Sequence, residues 1–277
     1  MKSLEKLLTE QRNPASLSID QVPTLEALRI MNDEDRRVAE SITPELPNIA
    51  RAVDGIVERF RQGGRLFYIG AGTSGRLGVL DASECPPTFN VSYDLVQGIM
   101  AGGMEALYQA TESTEDSAGA GVRDLHGRGF TAQDTLCGIA ASGRTPYVLG
   151  AIAEARAMGA LTIGISCSPD SELAHAAEIA ITPLAGPEVV TGSTRLKAGT
   201  ATKLVLNMLT TIAMVRMGYV WSNLMVNVKP SNEKLVARAQ RIIRDAAGVD
   251  EARAAVLLAE SNGRVREAIE RGIREKK

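Results

Sequence analysis

The sequence predicts an α/β fold of the three-layer, flavodoxin-like kind: a parallel sheet flanked by helices, with further helices before it and a small helical appendage after it. Three observations carry that expectation. Short apolar segments alternate with helical patterns between residues 66 and 182, as in successive βαβ units. Two of those segments end in small and hydroxyl residues just before a helix begins, at Gly72-Thr73-Ser74-Gly75-Arg76 and Ala141-Ser142-Gly143-Arg144-Thr145. The chain of 277 residues, 44% apolar and 23% charged, is long enough for one sizeable core and an appendage.

Residues 1–63 read as helical, interrupted early by Asn13-Pro14-Ala15-Ser16. Thr43 before Pro44 and Glu45 marks a helix start, because a hydroxyl can cap and proline suits the first helical position. Gly63-Gly64 stops that helix. Strands are expected near 66–70, 96–100, 135–140, 161–166 and 178–182, with helices near 74–83, 104–125, 146–158 and 171–177. The first of these helices should end at Pro86-Pro87, where two backbone donors are missing. Beyond Gly186-Pro187 a long apolar helix spans about 195–217. Asn207 and Arg216 interrupt its apolar stretch and Lys203 precedes it, so it reads as a buried helix rather than a membrane span. From Ser231 the composition turns to Ala, Arg and Glu, and Gly248 and Gly263 cut it into about three short helices. The expected division is one domain over 1–229 and a small helical one over 230–277.

Composition excludes several functions. A net charge of −2 supplies no basic face for nucleic acid. Met1 to Glu10 mixes Lys and Glu with Leu and lacks the apolar core of a signal peptide. With no membrane span either, a cytoplasmic location is expected. Cys85, Cys137 and Cys167 are odd in number, widely spaced and without a CxxC pair, so they read as reduced thiols. His126 and His175 alone leave little material for a metal centre, and no metal or cofactor is expected.

The two hydroxyl-rich loops carry the chemistry. Each collects backbone N–H groups and side-chain hydroxyls at a helix N-terminus, which is an anion site, and phosphate is the usual anion. Two such loops at the carboxyl ends of parallel strands point to a phosphorylated small molecule held between them. Gly70-Ala71-Gly72-Thr73-Ser74-Gly75 also fits the dinucleotide pattern G-x-G-x-x-G, or a purely structural glycine turn. Against the dinucleotide, Asp94 precedes the next strand instead of ending it, and the second loop has no role in that scheme. A P-loop is excluded because Gly-Lys followed by Ser or Thr is absent. Glu84, before Pro86-Pro87, and Glu115, in a Ser- and Thr-rich segment, each fit a solvated carboxylate or a first-turn dipole partner. In a chain so poor in histidine they also fit an acid and base pair whose pKa values are set apart by the site. Gly186 to Lys197 is a third polar segment, where Ser193 or Thr194 serves as an N-cap or, with Glu188, Arg195 and Lys197, as part of a ligand-facing loop.

Gly72-Thr73-Ser74 together with Ser142-Gly143-Arg144-Thr145 resembles the sugar-phosphate site of sugar isomerase (SIS) domains. The longer strings Tyr68 to Gly78, Asp81 to Pro87, Ile139 to Pro146 and Gly186 to Thr200 resemble the N-acetylmuramic acid 6-phosphate etherases, as do Thr9 to Asn13 and Asn232 to Leu235. The resemblance implies an SIS-type sheet and cleavage of a D-lactyl ether in cell-wall sugar recycling. It also implies a phosphorylated amino sugar as substrate, no cofactor, and a homodimer with sites near the interface. By this resemblance Glu84 matches the family's proton donor and Glu115 its second catalytic acid, with the group that removes the C2 proton left open. Gly72, Thr73, Ser74, Ser142, Gly143 and Thr145 match phosphate-binding positions, and Glu188, Ser193, Thr194 and Lys197 are further substrate candidates. Two neighbouring functions stand beside it. The glucokinase regulatory protein resembles these etherases and binds sugar phosphates without catalysis, but has two SIS modules where this chain has room for one. An aldose–ketose isomerase also begins by removing a C2 proton, and release of D-lactate separates the two.

Overall fold

A computed structural model describes residues 8–109, 114–227, 230 and 232–276. The chain divides into two compact units, one of Met1–Ala82 with Asp94–Thr210, the other of Ser83–Tyr93 with Thr211–Lys277. The second unit begins earlier in the chain than the change of composition at 230.

The first unit opens with helices α1 (Thr24–Ile42) and α2 (Leu46–Arg61), joined by a 3-10 turn at Thr43–Glu45. Thr43 closes α1 rather than capping a new helix: it keeps helical dihedrals, and Pro44 has no N–H to continue the α ladder, so the chain tightens into a 3-10 turn. α2 buries Ile49, Ala52, Val53, Ile56, Val57 and Phe60 at three- and four-residue spacing. Its end is where the sequence puts it. Gly63, at φ +84°, donates to Phe60 O and Gly64 to Arg59 O, so the last carbonyls are satisfied by the two glycine amides.

The sheet comprises β1 (Leu66–Gly70), β2 (Val96–Met100), β3 (Thr135–Ile139), β4 (Leu161–Ile165) and β5 (Ile179–Ile181), all parallel in the order β2-β1-β3-β4-β5. β1, β3 and β4 are buried along their whole length, which suits continuous apolar runs covered on both faces. The connecting helices are α3 (Gly72–Phe89), α4 (Ala118–Gly127), α5 (Pro146–Ala157), α6 (Glu172–Ala176) and α7 (Lys197–Arg216). Phe67, Ile69 and Leu136 pack with Leu125, Tyr147, Val148 and Ile152 of α4 and α5 in one cluster. Tyr68 points to the opposite face, where its hydroxyl donates to Asp81 of α3 at 2.9 Å. Asp81 also accepts from Asn207 and Thr210 of α7, at 2.8 and 3.3 Å, and burial pushes its carboxyl up despite these bonds. α7 is long and apolar enough to cross a membrane by composition. It buries a stripe at Ala201, Val205, Leu206, Leu209, Ala213 and Met214 while leaving Ile212, Val215 and Arg216 exposed, the pattern of a core-facing helix.

Two expectations are corrected here. α3 runs through Pro86 and Pro87, which lack two ladder donors, and stops at Phe89 within the same turn, which closes by Asn90 N–H donating to Pro86 O at 2.8 Å. The helix expected over 104–125 is a 3-10 turn at Glu105–Leu107 and then α4 from Ala118 onward, with Ser117 accepting from Ala120 N–H at 3.2 Å as the cap. Gly102 and Gly103 both take positive φ and turn the chain at the end of β2. Residues 110–113, part of the Ser- and Thr-rich segment before Glu115, lie outside the described residues, as do residues 1–7 of the N-terminal segment.

In the second unit a short antiparallel pair, β6 (Val220–Trp221) and β7 (Leu224–Met225), was not legible from the sequence. Helices α8 (Glu233–Ala247), α9 (Glu251–Glu260) and α10 (Val265–Arg274) follow. Asn232 and Asp250 cap α8 and α9 through their side chains, and Gly248 and Gly263 take positive φ where the breaks were expected. Ala239, Ile243, Leu257, Val265 and Ile269 form its core, against which Trp221 and Leu224 pack.

Two glycines two residues apart in α4 predict opposite effects. A Cβ on Gly121 would lie 2.0 Å from the Tyr147 carbonyl oxygen, whereas one on Gly119 would meet only the Arg123 guanidinium at 3.5 Å. Gly121→Ala should therefore destabilise the protein by about 1–3 kcal/mol through forced separation of α4 and α5. Gly119→Ala should stabilise it by about 0.4–1 kcal/mol by restricting the unfolded chain. Denaturant titration of both variants checks the pair.

Candidate functional site

The two hydroxyl-rich loops leave the sheet side by side. Gly70 and Ile139 are partners at the ends of β1 and β3, so the loops start from strands about 4.8 Å apart. This is also where the strand order reverses, the place at which open α/β sheets form a crevice. After β1, Gly72 takes φ +53° and α3 begins at once, which puts Thr73 and Ser74, both half-buried, in the turn whose N–H groups have no acceptor within the helix. Gly70 and Gly75 allow this: a Cβ on Gly70 would lie 2.7 Å from Gly75 N, and one on Gly75 2.6 Å from Gly70 O.

After β3, Gly143 takes φ +68° and donates to Ala140 O at 2.8 Å. A side chain there would strike Ser171 Cβ at 2.3 Å. Ser142 is half-buried, and Thr145 occupies the N-cap position of α5 with Pro146 following. The Thr145 hydroxyl makes no capping bond, so it is not spent on its own helix. The arginine common to both loops does not share this geometry. Arg76 donates to the Leu107 and Ala106 carbonyls at 3.1 and 2.7 Å, and Arg144 pairs with Glu172 at 3.6 Å.

The acids are placed separately. Glu115 is half-buried in the segment before α4, and its carbonyl accepts from Tyr147 N–H at 3.0 Å. It is thereby fixed at the N-terminus of α5, two residues along from Thr145. Glu84 is exposed on α3 and belongs to the second unit. A cavity of about 640 Å³ opens nearer the β2 edge, lined among others by Met100, Leu107, Thr114, Ser117 and Tyr147. Thr114 there is the neighbour of Glu115.

The third segment is built on buried charge. Glu188, 1% exposed, accepts from Lys197 N–H at 2.8 Å and Ala198 N–H at 3.0 Å, so its carboxylate caps α7 and meets that helix's positive end. Burial nonetheless pushes its carboxyl up. Lys197, also 1% exposed, ends 2.5 Å from Glu34 Oε2 of α1. Glu34 accepts further from Asn13 at 2.8 Å and Arg37 at 2.9 Å. Burial alone would raise its carboxyl, but the bonds from Lys197 and Asn13 outweigh it and hold the group below the usual carboxylate range. As substrate contacts, Glu188 and Lys197 are thus displaced: their charged groups are engaged inside the fold. Ser193 and Thr194 are half-buried in the loop they hold, and a Cβ on Gly199 in the first turn of α7 would lie 3.5 Å from Thr73 Cγ2. The start of α7, into which the third segment leads, therefore meets the first loop.

Sequence reading missed Glu34 and Asp81 as structural acids. Glu34 sits among Asn32, Asp33, Asp35 and Arg36, and nothing local distinguishes the one carboxylate that faces inward. Among the described residues no group of three or more His, Cys, Asp or Glu could hold a metal ion. The three cysteines are buried thiols; burial pushes the Cys167 thiol up to about 12 and the Cys137 thiol higher still, so neither of these two is a nucleophilic thiolate at neutral pH. What the arrangement offers is two helix N-termini at adjacent strand ends, where an anion would find donors, with Glu115 held at the second of them.

Comparison with known proteins agrees with this geometry. Residues 48–156 match the model of the glucokinase regulatory protein N-terminal SIS domain, and residues 123–212 that of the SIS domain. An N-acetylmuramic acid 6-phosphate etherase of Clostridium botulinum (strain Okra / Type B1) is 57% identical over 260 residues, covering 94% of this chain and 86% of that one. The Aeromonas hydrophila subsp. hydrophila etherase is 56% identical over 266 residues, covering 96% and 89%. Among solved structures, the phosphoheptose isomerase from Francisella tularensis superposes with a TM-score of 0.54 at 17% identity, over 70% of this chain and 100% of that one. That from Neisseria gonorrhoeae gives 0.53 at 14% identity, over 71% and 98%. These two show a shared fold.

The buried pair makes a stability prediction with a definite sign. Lys197→Met leaves the Glu34 carboxylate buried beside an apolar chain and should cost about 3–5 kcal/mol, much of it recovered in the double variant with Glu34→Gln. Glu34 is held below its unfolded value, so its contribution is present at neutral pH and lost as pH falls through the folded value. The stability gap between wild type and Glu34→Gln should stay constant above about pH 5 and shrink below roughly pH 4.5. Urea titrations across that range measure both effects.

Proposed function

The chain belongs to the N-acetylmuramic acid 6-phosphate etherase family, and from that premise we propose that it cleaves the D-lactyl ether of N-acetylmuramic acid 6-phosphate, giving N-acetylglucosamine 6-phosphate and D-lactate. The observation that carries the reading is the pair of helix N-termini, α3 and α5, at adjacent strand ends, with the Thr145 hydroxyl not spent on its own helix. A phosphate dianion placed there meets two sets of backbone N–H groups, two helix dipoles and the hydroxyls of Thr73, Ser74, Ser142 and Thr145.

With the phosphate as anchor, the reaction needs only proton transfers. In the open-chain sugar the C1 aldehyde acidifies the C2 proton. A carboxylate removes it, the C3–O bond breaks, lactate leaves with a proton, and water adds to the C2–C3 double bond of the unsaturated aldehyde. The sum is hydrolysis of the ether, with no change of oxidation state to require a redox cofactor. We assign the proton on departing lactate to Glu84 and the second acid–base role to Glu115, whose position at the α5 N-terminus supports a place near a sugar anchored on that helix. Ser193 and Thr194 face the substrate from the loop that Glu188 and Lys197 hold. All of these groups lie within residues 1–229, Glu84 among those of the second unit, and residues 230–277 carry none of them. We further propose a cytoplasmic homodimer acting in recycling of cell-wall amino sugars. An aldose–ketose isomerase would use the same first step, and incubation with N-acetylmuramic acid 6-phosphate followed by assay of D-lactate decides between them.

Thr145→Ala should weaken binding of the sugar phosphate, since a hydrogen bond to a charged group is worth about 1.5–3 kcal/mol. This corresponds to roughly ten- to hundred-fold in affinity, readable by calorimetry. Unphosphorylated N-acetylmuramic acid should be a poor substrate for wild type, and equal turnover of both sugars would sink the two-loop phosphate site.

The two acids separate by step. Glu84→Gln keeps the shape but cannot donate a proton, so lactate release should fall by about 10²–10⁴, the usual loss for a general acid. If Glu115 is the C2 base, Glu84→Gln still exchanges the C2 hydrogen with deuterated solvent, whereas Glu115→Gln loses exchange and elimination together. NMR in deuterated buffer reads both, and loss of exchange in Glu84→Gln would instead make Glu84 the C2 base.

A further inference from the structure

The N-terminal segment Thr9–Ser16 takes no part in the reaction described above, yet it is bonded along the loop that carries Ser193 and Thr194. Gly192 N–H donates to Thr9 O at 3.2 Å, and Ser16 Oγ donates to Val189 O at 2.8 Å. Between these two ties lies Asn13, 5% exposed. Its Nδ2 donates both to Pro187 O at 3.1 Å and to Glu34 Oε2 at 2.8 Å, and its Oδ1 accepts from Ala15 N–H at 2.9 Å. Lys197, at the far end of the same loop, reaches the same Glu34 oxygen. One buried carboxylate thus gathers both ends of the loop, the first through Asn13 and the last through Lys197.

We propose that Asn13 is a positioning residue for this enzyme: it touches no substrate, but its amide holds residues 187–192 and so sets the place of Ser193 and Thr194, which follow them. The inference rests on the reading that those two hydroxyl residues face the sugar phosphate. The residue type follows from the chemistry. A side-chain amide supplies two N–H donors from one nitrogen, enough for a carbonyl and a carboxylate at once, while its oxygen remains free to cap the turn at Pro14–Ser16. An aspartate would bring a second negative charge against Glu34 and could donate to neither acceptor.

The test is Asn13→Ala in the full chain, read in two ways. Hydrogen exchange should show the amides of Gly192, Ser193 and Thr194 opening about ten-fold faster, with the amides of β1 and β3 unchanged, as for a local rather than global opening. Kinetics on N-acetylmuramic acid 6-phosphate should show KM raised about ten-fold with kcat within about three-fold, the signature of lost substrate positioning rather than lost chemistry. Ser16→Ala, which removes the hydroxyl's bonds to Val189 O and Asn13 O but leaves the Asn13 amide in place, should move both readouts in the same direction by less, and it stands in if Asn13→Ala does not fold. Unchanged loop exchange overturns the proposal. So does an equal rise of exchange throughout the sheet, which marks a purely structural residue, or a fall in kcat at constant KM. Should wild type release no D-lactate, the etherase reading fails on its own, and the exchange measurement still judges the brace.

Discussion

The close approach of α3 to the end of β1 is the constraint on which the rest depends. Gly70 and Gly75 place strand backbone against helix backbone with no room for a Cβ on either side. Because nothing intervenes, the helix starts within two residues of the strand and its first N–H groups stay at the sheet's carboxyl edge. Gly78 continues the contact, since a Cβ there would lie 2.8 Å from Tyr68 Cβ. Asp81 then fastens the helix one turn later to Tyr68 and to α7. A larger residue at 70 or 75 would lift the helix off the strand, and the hydroxyls of Thr73 and Ser74 with it.

Buried charge does for the third segment what glycine does for the first two. Glu188 caps α7, and Glu34 pairs with Lys197, both inside the fold. Such groups add little net stability over well-packed apolar residues, because each must shed its water, but removing one partner is costly. Their effect is to permit a single arrangement of the chain from 187 to 197.

Much of this was legible in advance from local chemistry. The five strands and the glycine stops at 63–64, 248 and 263 follow from apolar runs and from positions where only glycine turns easily. The two anion loops follow from hydroxyl and glycine residues between a strand and a helix. Reading failed on some local boundaries and, for buried charge, where the deciding partner lay far away in sequence. α3 runs two residues past Pro87 before it stops, and within the span 104–125 α4 begins at Ala118, after glycines at 102 and 103 have turned the chain at the β2 end. Lys197 looked like a ligand contact, and its actual partner is 163 residues earlier.

The sequence by itself determined the layered α/β class, the hydroxyl-rich loops at two strand ends and, through long shared strings, the family. These are properties of short segments, in which residue type and spacing fix backbone dihedrals and hydrogen-bonding capacity. Only the tertiary structure decided which charges are taken into the fold and which stay in solvent. Glu34 and Asp33 are adjacent acids on one helix, yet one is buried against Lys197 and the other pairs with Arg36 in solvent. The difference lies in which side of α1 meets the rest of the protein, and that is set by packing between segments distant along the chain.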